Sequence, residues 1–378
     1  MSKPYIPFTL PNDFLINKEV LFNKVIEANR SLAIYNEKMN NSKIRPDLLL
    51  DLLSLKEALE SSRIEGTQAT MDEMFEYRAD EKNATVDIRE VINYRNALTD
   101  GVYNLERLPL SNRLFKILHR TLLTGHVRGG NKNPGEFRTI QNYIGPQGCT
   151  IETASFVPPE PQLINEYMSN LEKFINEESD TDDLIKIAII HAQFETIHPF
   201  LDGNGRIGRI LIPLYLYDKK LISNANLFVS ESLEQDKYKY YRLLNNTRVQ
   251  LPPSDDSSYH TILETARHHY TEWIMFFLNA CIAETTKGIN KIDRINVLYD
   301  ETLNKAKAIS GNSKIIELID VLFEYPVITS KTITSRIQIS PATLHNYLNK
   351  LVEAHIIHPD NKLRNRKYYF YDLIDILR

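Results

Sequence analysis

The residue types able to do chemistry crowd into one run, His198-Pro199-Phe200-Leu201-Asp202-Gly203-Asn204-Gly205-Arg206-Ile207-Gly208-Arg209. A neutral imidazole at His198 can take a proton from an attacking hydroxyl. Asp202, four residues on, offers a carboxylate suited to Mg²⁺, which prefers oxygen ligands and substrate phosphates. Gly203 and Gly205 let the backbone curl and approach a ligand closely. The curl ends at a helix start, where free N–H groups favour an anion. Arg206 and Arg209 are three apart, share one helical face and can each fork onto phosphate oxygens. A lone histidine or a lone Gly-Asn-Gly would signify only a loop between helices. Base, metal ligand and phosphate cradle in this order signify a site.

Two helices must position that run. Leu184, Ile187, Ala188, His191 and Phe194 fall at helical spacing before it. A second helix runs on from about Gly205 to Asp218. Further helices are expected near 18–40, 46–64, 71–77, 86–106, 111–123, 238–248 and 260–292. Gly66 ends the second of these as a C′ glycine. Asn133-Pro134-Gly135 and Gly145-Pro146-Gln147-Gly148 are turn signals, and 137–144 with 149–157 read as a short hairpin. The polar stretch 302–313 reads as a linker. Beyond it, helices at 313–323, 330–336 and 340–353 precede strands at 356–359 and 367–371, a winged-helix order.

The bulk numbers agree with a mainly α protein of two or three domains. The chain has 378 residues, 42% hydrophobic and 25% charged, with net charge −4. That charge argues against a chain dominated by nucleic-acid binding. Cys149 and Cys281, far apart, make neither a disulfide framework nor a zinc site. No apolar stretch reaches about 18 residues, and the start MSKPYIPFTL lacks an apolar signal region. The expectation is a cytoplasmic protein without a membrane span.

The run 198–209 resembles the signature of the Fic family, His-x-Phe-x-(Asp/Glu)-Gly-Asn-Gly-Arg-x-x-Arg, at every specified position. Resemblance extends to Asn133-Pro134-Gly135-Glu136-Phe137-Arg138, Gln141-Asn142-Tyr143-Ile144-Gly145, Phe156-Val157-Pro158-Pro159 and Tyr240-Tyr241-Arg242-Leu243-Leu244. It implies a Fic-type helical core over 106–300 with a β-hairpin flap at 137–157. A helical region, 1–105, would precede it and a winged-helix domain, 313–378, would follow. The activity implied is adenylyl transfer, AMP passing from ATP to a Tyr, Ser or Thr hydroxyl of a target protein or of the chain itself. His198 would be the base, Asp202 the Mg²⁺ ligand, and Arg206 and Arg209 the holders of the β- and γ-phosphates. Asn204 would meet the α-phosphate region and Tyr241 would lie beside the nucleotide base. Gly203, Gly205, Ile207 and Gly208 complete the implied nucleotide-contacting set. A phosphorylating branch has Lys where this chain has Gly205, so glycine favours nucleotidyl transfer. The flap, as an edge strand, could pair with an extended target segment.

Ser61-Ser62-Arg63-Ile64-Glu65-Gly66 matches the family's inhibitory pattern, (Ser/Thr)-x-x-x-Glu-(Gly/Asn), on the helix at about 46–66. Glu65 sits in the last turn, where the helix dipole disfavours a carboxylate by about 0.3–1 kcal/mol. A cationic partner would offset that, and Arg209 is the candidate. The pair would remove one γ-phosphate ligand, with Ser61 one turn back orienting Glu65. Resemblance also implies that Glu65 orients a water to remove AMP, and it allows a homodimer.

Residues 313–378 carry nine Lys/Arg against seven Asp/Glu. Lys362, Arg364, Arg366 and Lys367 cluster on the wing, where DNA phosphate or a docked protein is equally served. The competing readings are a DNA-binding regulator whose core only senses ATP, and transfer of another nucleotide. A pure sensor has no need of His198.

Overall fold

Each helix start follows a local signal. In the computed structural model, which describes residues 3–80, 84–146, 148–362 and 364–378, α1 spans Lys18–Asn40 and α2 Pro46–Ile64, with Pro46 at the first helical position. A capping box of Thr70 and Glu73 opens α3 (Met71–Ala79). Thr85 caps α4 (Val86–Leu105) and Ser111 caps α5 (Asn112–Leu122). After α6 (Ile164–Asn176), Asp182 caps α7 (Asp183–Ile197), and α8 covers Asn204–Asp218. Two shorter helices, α9 (Ser230–Gln235) and α10 (Lys237–Asn246), lead to α11, Tyr259–Ile309.

The centre of the core is α7. Every residue of it from Leu184 to Ile197 is buried, as its all-round apolar sequence demands. It packs on α6, α8 and α11, while α1 lies along α11. The expected inhibitory helix α2 packs on α4 and α9 and touches α8. Its burial extends to Glu57, Glu60, Ser61 and Ser62, so this helix is no surface decoration.

Three expectations change. Most of the stretch read as a linker, 302–313, is helical: α11 runs unbroken for 51 residues to Ile309, and 310–312 join it to the helix that starts at Ser313. Ile295, Thr302 and Ala306 lie on its buried face, and that packing outweighs the local polarity. The helices α6 and α9 were not anticipated. The flap is held by one antiparallel bridge, Ile144 with Phe156, through hydrogen bonds of 2.8 and 3.0 Å. Prolines at 146, 158 and 159 remove the donors a longer ladder needs. Gln147 of the anticipated turn lies outside the described residues.

The C-terminal part follows the order α12 (Ser313–Glu324), β1 (Val327–Thr329), α13 (Ser330–Thr334), α14 (Pro341–Glu353), β2 (His358–Pro359), β3 (Lys367–Tyr369) and α15 (Tyr371–Leu377). Its antiparallel sheet has the order β1-β3-β2, with Val327 opposite Tyr369 and His358 opposite the same Tyr369. The three expected helices and two strands are present; β1 and α15 are additional. Here α12 and α15 pack on α2 and α11, and β1 packs on α3. Among the described residues, one large apolar core draws on side chains from Leu10 to Leu377, beside a small cluster of Leu15, Ala266 and Tyr270. Among the described residues, no helix is long and apolar enough to cross a membrane.

Candidate active site

The helix α7 ends at His198 because that residue takes a left-handed backbone, φ 50° and ψ 60°, while its N–H still bonds Phe194 O at 2.9 Å. A residue with a β-carbon keeps that conformation only where its surroundings fix it. Arg138 does the fixing. Its N–H donates to Pro199 O at 2.8 Å, and its guanidinium to His198 O at 2.9 Å, Pro159 O at 2.6 Å and Ile197 O at 3.4 Å. One buried arginine thereby ties the flap base to the loop. Burial lowers its guanidinium to about 10, still charged at neutral pH.

Burial, with Arg248 and Arg138 alongside, pushes the His198 imidazole down to about 3. The ring is therefore neutral, as a base requires. Its Nδ1 is buried, and the Glu195 backbone carbonyl beside it favours the protonated ring without offsetting the burial. The Glu195 Oε2 stands 3.9 Å from it.

The loop is built from both sides. Gly203, with φ 76°, turns the chain into α8. Asp202 Oδ1 accepts the Gly203 N–H at 2.6 Å. The Asp202 carbonyl accepts from His119 Nε2 at 2.9 Å, and His119 Nδ1 accepts the Gly135 N–H at 2.8 Å. His119 also stacks on Phe200 with centroids 3.8 Å apart. Burial lowers its imidazole to about 4, so it is a neutral strut. His119 lies 83 residues before its partner, and nothing in the sequence singled it out.

Asn204 has a use other than the anticipated phosphate contact. Its Oδ1 accepts the Phe200 N–H and its Nδ2 donates to Phe200 O, both at 2.9 Å, and the residue is 1% exposed. The amide clamps the loop shut. Ile207 is buried, with its N–H on Gly203 O at 3.1 Å; Gly208 O accepts from His191 Nδ1 at 3.1 Å. Both brace α8 from inside.

Arg206 and Arg209 do share a buried face of α8. Arg206 stands 3.6 Å from Asp202, and its Nε has no partner among the described residues. Arg209, 1% exposed, donates from Nε to Ser61 Oγ at 2.8 Å and from Nη2 to Ser61 O at 2.9 Å and Glu65 Oε1 at 2.7 Å. Ser61 therefore holds Arg209, not Glu65 as expected from the helical spacing. Burial, the largest influence, would raise the Glu65 carboxyl; the Arg209 charge and hydrogen bond, with Arg206 and His198, together outweigh it and the net shift is downward. Gly66, with φ 98°, lets the chain leave α2 directly after Glu65. A β-carbon at Gly205 would lie 2.3 Å from Glu65 Oε1, so the pair crosses the start of α8 only because residue 205 has no side chain.

Tyr241, 43% exposed, packs beside Tyr240 with centroids 5.1 Å apart. Burial raises its phenol, as do the nearby charges of Glu65 and Glu195. Asp202 keeps its side chain 39% exposed. A β-carbon at Gly129 would come within 2.7 Å of its Oδ2, so that glycine leaves the carboxylate room. Among the described residues, no cluster of three or more His, Cys, Asp or Glu could enclose a metal. One open carboxylate fits Mg²⁺, which takes most of its ligands from phosphates and water.

Fold and site together define a mainly helical protein with a neutral, half-buried histidine and an arginine-lined helix start on one interhelical loop. Residues 22–103 match the Fic/DOC family N-terminal model and residues 109–216 the Fic/DOC family model, between them half of the chain. The chain belongs to the Fic/DOC family. It is similar to a "probable protein adenylyltransferase" of Aquifex aeolicus (strain VF5), 28% identical over 189 residues, 49% of this chain and 55% of that protein. It also resembles "protein adenylyltransferase Fic" of Drosophila willistoni, 30% identical over 167 residues, 44% of this chain and 29% of that one. The chain thus spans about half or less of these relatives' length. Among solved structures, a Fic family protein from Desulfovibrio desulfuricans G20 matches 97% of this chain and 98% of its own, with TM-score 0.55 and 19% identity. A Fic domain containing signaling protein from Bacteroides thetaiotaomicron covers 70% of this chain and 97% of its own, with TM-score 0.53 and 20% identity. These two share the fold.

Proposed function

We propose that the chain is a protein adenylyltransferase, moving AMP from ATP to a Tyr, Ser or Thr hydroxyl and restrained by its own Glu65. The observation that carries the reading is the neutral His198 on the same loop as the arginine-lined start of α8. His198 takes the hydroxyl proton, the oxygen bonds the α-phosphorus, the bond to the bridging oxygen breaks and pyrophosphate leaves. Arg206 and Arg209 hold the β- and γ-phosphates in line with that attack. Asp202 would hold a Mg²⁺ that, when bound, offsets charge on the leaving pyrophosphate.

The restraint follows from the Glu65 contact to Arg209 at 2.7 Å. An arginine engaged by Glu65 and Ser61 offers the γ-phosphate nothing, and ATP binds without its α-phosphate in line. Glu65 could also orient a water for AMP removal. We read 313–378 as a winged-helix docking unit, on its order of three helices and a hairpin and its cationic wing. The test of the activity is intact mass after incubation with ATP, Mg²⁺ and a cell protein fraction. A covalent AMP on target or on the chain, absent with His198→Ala, is expected. Equal labelling by His198→Ala would exclude His198 as the base.

A further inference from the structure

The base has a neighbour whose use nothing above explains. Glu195 lies one turn before His198 on α7 and is 7% exposed, with no hydrogen-bond partner for its Oε1 among the described residues. Buried carboxylate oxygens are seldom left in that state. His198 Nδ1 is likewise buried, 3.9 Å from Glu195 Oε2, with the Glu195 backbone carbonyl also beside the ring. A buried carboxylate and the buried ring Nδ1 thus face each other at 3.9 Å. Gly208 makes the space: a β-carbon there would stand 2.4 Å from Glu195 Oε1. A glycine of the α8 start thereby admits a carboxylate of α7.

The chemistry supplies the reason. A base acting through Nε2 must carry its resting proton on Nδ1, and an acceptor behind the ring fixes that tautomer. When Nε2 takes the hydroxyl proton, the ring becomes a cation in a pocket that already disfavours one. Arg248 and Arg138 press on it from the segment after α10 and from the flap base. Among the described residues, Glu195 alone gives His198 a carboxylate within ion-pair distance. The charges facing Glu195 itself are Arg209 and Arg248, which favour its ionised form, and Glu65, which opposes it.

We propose that Glu195 is the positioning residue of the base: its carboxylate accepts the Nδ1 proton of His198, fixes the tautomer with Nε2 open to the cleft, and closes onto the ring as it becomes charged. The inference rests on the transfer reading above. Glu195 neither touches nucleotide nor gains the proton. The proton passes from the target hydroxyl to Nε2, Nδ1 keeps its own, and the carboxylate stays ionised, the arrangement of an Asp-oriented histidine in serine hydrolases. Burial raises the Glu195 carboxyl to about 7. Its ionised, useful form therefore appears as pH rises through neutrality.

The experiment uses the full chain carrying Glu65→Gly, with Glu195→Gln and Glu195→Asp added separately. The kcat and the KM for ATP are measured from acid to alkaline pH. In Glu65→Gly alone, kcat should rise through one inflection near or somewhat below 7, because Glu65 is one of the groups that raise Glu195. Glu195→Gln should lower kcat about 10²-fold, remove the inflection and leave KM for ATP unchanged. Glu195→Asp should keep an inflection and recover part of kcat. A Glu195→Gln chain with unaltered kcat and inflection overturns the proposal, since the Glu195 carbonyl behind the ring then suffices. Equal losses in kcat and ATP affinity, with a lowered melting temperature, also overturn it by showing a packing role. If Glu65→Gly transfers no nucleotide, the transfer reading fails instead. The pairing is then decided by nitrogen NMR of the His198 ring: an Nδ1–H tautomer that responds to Glu195→Gln supports it, and an indifferent ring overturns it.

Discussion

The helix α2 and its neighbour α3 are gripped at two seams of opposite character. On the inner seam, Arg209 is 1% exposed and reaches Ser61 and Glu65 through three charge-assisted hydrogen bonds of 2.7–2.9 Å. On the outer seam, the C-terminal part meets α3 through polar pairs at or near the surface. Arg378 binds Asp72 at 2.8 and 2.9 Å, Lys367 and Tyr369 each reach Glu76 at 3.1 Å, and Thr332 reaches Ala79 O at 3.3 Å. Arg378 and Asp72 are 48% and 54% exposed. Water and salt replace such contacts at little cost, so the outer seam rests on packing, of β1 on α3 and of α12 and α15 on α2. Inside, nothing replaces a lost partner except another anion. The inner seam can therefore work as a switch that triphosphate competes for, and the outer one as a scaffold.

Ser61→Ala should separate the two most clearly. It removes the acceptor of the buried Arg209 Nε–H and should lower unfolding stability by about 1–3 kcal/mol in urea titrations. Asp72→Ala should lower stability by less than about 1 kcal/mol, with the difference fading as salt is raised. Equal losses from the two variants would erase the distinction. A salt-insensitive loss at Asp72 would make the outer seam structural in its own right.

What was legible in the sequence was local. The loop 198–209 carries its spacing within one turn of chain and one helix start, and the end of α2 is marked by Gly66. The helix α7 was readable from the spacing of Leu184, Ile187, Ala188, His191 and Phe194. What was not legible depends on chain brought from elsewhere. His119 supports a carbonyl 83 residues away, and Arg138 grips carbonyls about 60 residues away. The polar stretch 302–309 reads as a joint until the buried face of α11 is seen. Side-chain direction was the other blind spot. Asn204 faces inward to clamp Phe200, and Ser61 binds Arg209 instead of Glu65. Glu195 could have been noticed, three residues before His198 on the same helix, yet its value lies in its burial, which spacing does not report.

The central claim is that the inner seam restrains a competent transferase, and Glu65→Gly tests it most directly. The full chain and this variant are incubated with ATP and Mg²⁺, and self-modification is followed by intact mass. Freeing Arg209 lets the triphosphate lie with its α-phosphate in line, and a misplacement of about 1 Å is worth about 10²-fold in rate. The variant should therefore label itself about 10²-fold faster, with little change in ATP affinity, and adding His198→Ala should abolish the gain. Equal rates for Glu65→Gly and the unaltered chain, across several nucleotides and metals, would contradict the account and leave Glu65 as an ordinary partner of Arg209.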